Sequence, residues 1–322
     1  MIPLTRVHTI RERRFLLKVE DSSTAEDYLK YEELRNDVWE FPDDGFSGAR
    51  NMMCENFLHE GASLFIGATS EDERDRPVAG PPGLCGFCYG FVGIRDKSRG
   101  FAAPDNLWFY SQYTAVRPGY EGNGLGVVLK EFQRDVIRDV FGISRIVCTY
   151  DPLTGVNAHR NVRRFGMDVL EYRPATYGAY GGRLNREDVP TDRFFMSWDL
   201  RAEEPRRAAG SRTAHASAAK VIDAGERTVE GRSGPVRMET ARGLNLEVAG
   251  DSAFVRIPRD FYRMLRETDV ADPEVRRIPV DWRMETRRAF VELFARGYRV
   301  ADFLTGAGPE DESGYLLERR LP

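Results

Sequence analysis

Residues 115–126, Ala-Val-Arg-Pro-Gly-Tyr-Glu-Gly-Asn-Gly-Leu-Gly, have the makings of a phosphate cradle. An apolar strand runs into Val116-Arg117-Pro118, a glycine-rich turn follows, and an amphipathic helix begins at Leu125. Gly122, Gly124 and Gly126 leave the backbone bare where an anion would approach. The helix start adds unpaired N–H groups and the positive end of its dipole. Two familiar nucleotide loops fail on spacing. No Lys-Ser or Lys-Thr follows the glycines, as a P-loop requires. A dinucleotide fingerprint counted from Gly122 needs glycine where Val127 stands, and counted from Gly124 where Leu129 stands. A glycine-rich strand-to-helix turn with no ligand is the plain alternative.

The elements that must hold this turn can be read from periodicity. Strands are expected at Arg14–Glu20, Ser63–Thr69, Gly83–Ile94 and Leu107–Val116. A helix at Thr24–Trp39 buries Tyr28, Tyr31, Leu34 and Val38, with Ser22, Ser23 or Thr24 as its cap. A turn is expected at Pro42–Gly45 and a second short helix at Ala49–Leu58. After the loop, Leu125, Val128, Leu129, Phe132, Val136 and Val140 mark one face of a helix, with Lys130, Arg134, Asp135 and Arg138 placed largely elsewhere. A strand at Arg145–Tyr150, a helix at Asn157–Phe165 stopped by Gly166, and strands at Asp168–Tyr172 and Arg193–Leu200 complete a mixed α/β block. Residues 202–243 are rich in Ala, Arg, Gly, Glu and Ser and read as a flexible linker. From Leu244 the apolar pattern returns, with a strand near Ala253–Ile257, a helix at Trp282–Phe294, and strands at Tyr298–Leu304 and Gly314–Arg319. The expected domains are therefore 1–201, a linker at 202–243, and a C-terminal α/β subdomain at 244–322.

Composition sets outer bounds. The chain has 322 residues, 41% hydrophobic and 30% charged, which suits an ordinary folded protein of two domains. A formal net charge of −4 argues against a nucleic-acid partner. No apolar run approaches the ~20 residues of a membrane span, and no signal-peptide core follows the N-terminal Met, so a cytoplasmic location is expected. Cys85 and Cys88 fall three apart within an apolar strand and face opposite sides. With histidines scattered at 8, 59, 159 and 215, no metal site is expected, and the four cysteines read as buried thiols.

A second set of residues is more specific than the loop. It comprises Asp151-Pro152-Leu153, Asn157-Ala158, Asn161, Gly166, Tyr177-Gly178, Leu184-Asn185, Asp192-Arg193-Phe194 and Trp198, with Val38-Trp39, Leu129-Lys130 and Gln133-Arg134 upstream. The tail adds Ile257-Pro258, Asp260-Phe261, Trp282-Arg283, Thr286-Arg287, Phe290, Gly297-Tyr298 and Tyr315-Leu316. Together with the loop, these resemble the GNAT acyltransferase superfamily, and within it a bacterial family of predicted acyl-coenzyme A N-acyltransferases. The resemblance covers nearly the whole chain outside 202–243.

The resemblance implies a mixed α/β GNAT fold with a smaller C-terminal α/β extension. It implies an acyl-coenzyme A co-substrate, acetyl or succinyl, and a small amine acceptor such as an amino acid. The loop residues Glu121, Gly122, Asn123, Gly124, Leu125 and Gly126 would hold the pyrophosphate. Ala115 and Val116 would meet the thioester and pantetheine through their backbone, on a strand that bulges and splays from its neighbour. Asn157 would hydrogen-bond the pantetheine arm or cap its helix, and Asn161 would contact coenzyme A or face solvent. Relatives often carry a glutamate base on the strand before the loop, but Leu107–Val116 contains no carboxylate. A water held by Ser111 or by the hydroxyl of Tyr110 or Tyr113, or Asp151 itself, is the alternative base, and Asp151 also reads as an ordinary turn residue before proline. Where relatives place a tyrosine acid this chain has Val162; direct transfer without a dedicated acid, or protonation by Tyr177 or Tyr180, is the expectation. Glu121 sets a carboxylate beside the expected pyrophosphate, an electrostatic conflict that Arg117 could offset. The tail would close the acceptor side or join two copies as a homodimer. A scaffold that binds an acyl-coenzyme A or a protein partner without turnover is the second functional expectation.

Overall fold

The computed structural model describes residues 4–22, 24–39, 52–71, 83–179, 181–202, 217–305 and 312–319. The turn at 42–45, the first residues of the expected second helix at 49–51, Tyr180 and the stretch 203–216 lie outside the described residues. Two compact units emerge, one formed by 1–148 with 199–202, the other by 149–198 with 203–322. This division differs from the expected boundary at 201, because the segment that carries Asp151 to Trp198 clusters with the tail.

The first unit is a sheet in the order β1 (Thr5–Ile10), β2 (Arg13–Val19), β3 (Ser63–Ser70), β4 (Leu84–Ile94), β5 (Leu107–Val116) and β6 (Arg145–Tyr150). Neighbours are antiparallel except β5 and β6, which are parallel. The strand β1 escaped the sequence reading because it is an outer strand with no apolar face to alternate. Helix α1 (Ala25–Trp39) starts at Thr24, whose hydroxyl accepts from the Asp27 amide at 3.2 Å. The expected face is buried, and the Tyr31 ring meets Phe57, Phe65 and Phe87. Helix α2 (Met52–Leu58) supplies Phe57. Helix α3 (Leu125–Asp139) buries Leu125, Val128, Leu129, Phe132 and Val136 as expected, but it also buries Lys130 and Gln133. Val140, assigned to the apolar face, is exposed.

The second unit contains α4 (Gly155–Ala158), which runs straight into a π-helical turn at His159–Arg164. The chain then forms the antiparallel pair β7 (Asp168–Arg173) and β8 (Arg193–Asp199). A four-stranded sheet has the order β13 (Tyr298–Leu304), β14 (Ser313–Arg319), β12 (Ser252–Ile257), β9 (Ala219–Lys220). Helices α5 (Phe261–Glu267), α6 (Pro273–Arg276) and α7 (Ile278–Ala295) connect β12 to β13.

The linker expectation needs correction over 219–243. Here β10 (Ile222–Gly231) and β11 (Gly234–Leu244) form a long antiparallel hairpin. Polar composition misled because a two-stranded ribbon carries much of its stability in backbone hydrogen bonds and cross-strand pairs. Few of its residues are buried, Val229 and Met238 among them, and the Trp282 indole donates to the Glu239 carbonyl at 3.0 Å.

Candidate functional site

In the first unit, β5 carries the glycine loop. Opposite β4, Tyr89 pairs with Tyr113 and Gly90 with Ser111, so Gln112 is an extra residue and β5 bulges there. Gly90 makes the bulge sterically feasible: a Cβ at that position would lie 2.4 Å from the Phe109 ring and the Tyr110 carbonyl oxygen. β6 pairs with β5 only at Phe109–Ile146 and Tyr110–Val147. From Ser111 onward β5 has β4 as its ladder partner. The bulge and the loss of pairing are both features that the resemblance implied.

Ala115 and Val116 lead into the turn, with the Arg117 amide bonded to the Cys85 carbonyl at 2.8 Å. Gly119, Gly122 and Gly124 have φ of +91°, +72° and +89°, a region that disfavours other residues. At each of the three an added Cβ would meet nothing within 4 Å, so glycine serves backbone conformation there rather than close packing. Gly126 is an ordinary helical residue, whereas Gly119, not singled out from sequence, is part of the turn. Gly124 caps α3 with no side-chain hydrogen bond. Among the described residues, no acceptor meets the amides of Gly122, Asn123, Gly124, Leu125 or Gly126, whereas the Val127 amide bonds to the Gly124 carbonyl at 2.9 Å. A run of N–H donors at a helix start suits a multiply charged anion.

Glu121 is exposed. The Arg117 guanidinium pairs with Asp37 and donates to the Leu84 carbonyl at 2.9 Å, so it is held by partners other than Glu121. Ser111, expected to hold a water, is buried instead. Its hydroxyl donates to Gln133 Oε1 at 2.7 Å and accepts from Lys130 Nζ at 2.7 Å.

The second unit holds the other expected site residues. Asp151 Oδ1 accepts from the Leu153 amide at 2.9 Å, an Asx turn. Its Oδ2 pairs with Arg283 and lies 3.6 Å from Arg193 Nη1. Arg283 is 0% exposed. Burial pulls its pKa down, but the Asp151 charge and hydrogen bond outweigh this and raise it. Both carboxylate oxygens of Asp151 are thus engaged, Oδ1 in the turn and Oδ2 with the guanidiniums.

Thr154, not Asn157, stands before α4. The Asn157 side chain donates to Thr154 Oγ1 at 3.0 Å and accepts from Arg160 Nη2 at 2.9 Å. Asn161 is buried rather than solvent-facing, and its Oδ1 accepts from Arg160 Nε at 3.2 Å. Both asparagines flank the start of the π turn, a feature often found at functional sites. Tyr177 is 44% exposed; its hydroxyl sits 2.8 Å from Thr149 Oγ1, and the Arg193 guanidinium lies 5.2 Å from its ring centre. The structure thus gathers Asp151 and Tyr177 around Arg193.

The tail explains the rest of the signature. Asp192 takes a two-pronged pair from Arg287 at 2.6 and 2.8 Å, a bond from the Tyr172 hydroxyl at 2.5 Å, and one from the Ala175 amide at 2.9 Å. Phe194 packs on Phe290, Phe294 and Tyr315, and the Tyr315 hydroxyl donates to the Pro152 carbonyl at 2.7 Å. Signature residues distant in sequence are therefore neighbours in this unit.

Burial opposes the charge of Asp192, but the bonds from Arg287, Tyr172 and Ala175 prevail and hold its carboxyl below the usual range. The stabilisation is present above the unfolded value of ~3.9 and is lost as pH falls through the lower folded value. Urea unfolding at pH 6, 4 and 3 is expected to show a steep loss of stability below pH 4. That loss should be flatter in Arg287→Met. Equal acid sensitivity in the variant would remove Asp192 as its source.

No group of three or more potential metal ligands occurs among the described residues. Among them, no helix is long and apolar enough to cross a membrane. No family model matches the sequence, and no curated protein matches it. The chain is similar to solved acetyltransferase structures at low identity. One is Arabidopsis thaliana NAA60 in complex with acetyl-CoA, with 13% identity, a TM-score of 0.44, and coverage of 58% of this chain and 99% of that one. The ribosomal-protein-S18-alanine N-acetyltransferase from Escherichia coli gives 14% identity and a TM-score of 0.38, covering 60% and 99%. The ribosomal-protein-S5-alanine acetyltransferase from Vibrio fischeri gives 12% identity and a TM-score of 0.42, covering 63% and 100%. The chain itself has a mixed α/β arrangement with an additional C-terminal sheet.

Proposed function

We propose that the protein is an acyl-coenzyme A-dependent N-acyltransferase. The observation that carries this reading is the bulged end of β5 running into a turn that presents five successive amides, Gly122 to Gly126, at the start of a 15-residue helix. Those amides and the helix dipole would bind the pyrophosphate of coenzyme A. The backbone of β5 beyond Tyr110, without a β6 partner, would meet the pantetheine arm and thioester.

In the reaction, the acceptor nitrogen attacks the thioester carbonyl. The C–N bond forms, the C–S bond breaks, and coenzyme A leaves as its thiolate. The amine proton passes to water or to the thiolate. With Asp151 ion-paired and Ser111 buried, an acceptor that supplies its own neutral nitrogen is favoured. An α-amino group titrates near ~8 and a lysine amine near ~10, so the reading favours a free amino acid or similar small α-amine.

A thiol-release assay tests this with acetyl- and succinyl-coenzyme A against D- and L-amino acids. The rate is expected to rise about tenfold per unit from pH 6 to 7 and level off above about 8, following the free amine. A profile flat from pH 6 to 9 would contradict an unassisted α-amine nucleophile. The engagement of Asp151 and Ser111 also favours a second reading, a scaffold that binds the thioester without turnover. Coenzyme A binding by calorimetry with no acceptor-dependent thiol release would select it.

A further inference from the structure

Lys130 lies on α3 where helical spacing predicts a solvated side, yet it is only 3% exposed. Its ammonium sits 2.7 Å from Ser111 Oγ and 3.4 Å from Gln133 Oε1, and Ser111 Oγ is itself 2.7 Å from Gln133 Oε1. Gln133 is 0% exposed, and its Nε2 is buried with no hydrogen-bond partner among the described residues. Burying an ammonium and an amide costs free energy that a leucine or methionine would not incur. The cluster lies at the register shift between β4 and β5: Ser111 is the residue before the extra Gln112.

A bulge can slip along its strand, and each residue that it passes then turns to the opposite face. An apolar residue at 111 would tolerate such a slip as long as it stayed buried. A serine gripped by two polar side chains of α3 would not, because the slip would strand Lys130 and Gln133 without their partner. The same helix begins at the glycine turn, so the grip ties the bulge to the amide cradle through one rigid element.

We propose that Lys130 and Gln133 are positioning residues: by gripping Ser111 they fix the bulge at Gln112 and so aim the backbone of β5 at the carbonyl of a bound acyl thioester. This rests on the acyl-coenzyme A reading. The triad touches neither reactant. It sets the geometry of backbone groups that would.

The test uses the full chain and the variants Lys130→Met and Ser111→Ala. Amide hydrogen exchange is followed over 107–116 and over 63–70 as an internal control. Affinities for acetyl-coenzyme A and for free coenzyme A, which lacks the carbonyl, are measured by calorimetry. The expected result is exchange about tenfold faster over 107–116 in both variants, with 63–70 unchanged. Affinity for free coenzyme A should stay within about threefold, while any preference for the acetyl form falls about fivefold, the worth of one hydrogen bond. Unchanged exchange over 107–116 would overturn the proposal. So would faster exchange with the acetyl preference intact, since the cluster would then serve stability alone. Wild-type protein that binds neither ligand would instead overturn the acyl-coenzyme A reading beneath it.

Discussion

Replacing Asp151 with alanine is expected to destabilise the protein by ~3–5 kcal/mol, because it leaves the buried Arg283 charge without its carboxylate. Arg283 is fully buried, and its Nε and Nη1 have no hydrogen-bond partner among the described residues. For a unit of this size the loss corresponds to a fall in melting temperature of roughly 10 °C. The double variant Asp151→Ala/Arg283→Met should recover much of it, since a buried pair replaced by apolar groups is often neutral. Thermal unfolding of the single and double variants checks this. The result also separates two roles. A general base at Asp151 would give Asp151→Ala a large loss of turnover with near-normal stability, and the double variant would not restore it. A wild-type melting temperature in Asp151→Ala would refute the structural role.

The second large effect concerns ligand rather than stability. Gly124→Val is expected to lower coenzyme A affinity by about 100-fold or more. At φ +89° a β-branched residue is a true outlier, with strain on the order of 1–3 kcal/mol. No described atom lies within 4 Å of the new Cβ, so the protein itself has room for it. A bound pyrophosphate would leave no such room, and the amides of Gly124 and Leu125 would turn away from it as the backbone relaxed. Gly124→Asn, which tolerates the left-handed region, should lose less. Calorimetric titration with coenzyme A decides the matter. Equal binding by wild type and Gly124→Val would show that the turn is only a structural connection.

The loop, the strand before it and the helix after it were legible in sequence because they are local features. Glycines at short spacing, an apolar run and a 3.6-residue period each report on neighbouring residues. The bounds of β5 and β6 were read correctly, and those of α3 to within one residue. The hairpin over 222–244 was not legible, because backbone pairing between two polar strands leaves no apolar pattern. The π turn after α4 was hidden for a related reason: hydrogen-bond register within a helix is not encoded in side-chain period alone.

The functional residues divide along the same line. The glycine turn at 117–126, the lack of a carboxylate on β5 and the polar and aromatic residues from 151 to the tail are all plain in the order of amino acids. Which of those residues meet is a matter of the folded chain. Asp151 and Arg283 are separated by 132 positions, and Asp192 and Arg287 by 95. No local rule relates them, yet folding makes each an ion pair, with Arg283 and Asp192 buried. The same holds for Lys130, whose charge placed it on the solvent side of its helix in any periodic reading. Out of water it meets the hydroxyl of Ser111, a residue 19 positions earlier on a neighbouring strand.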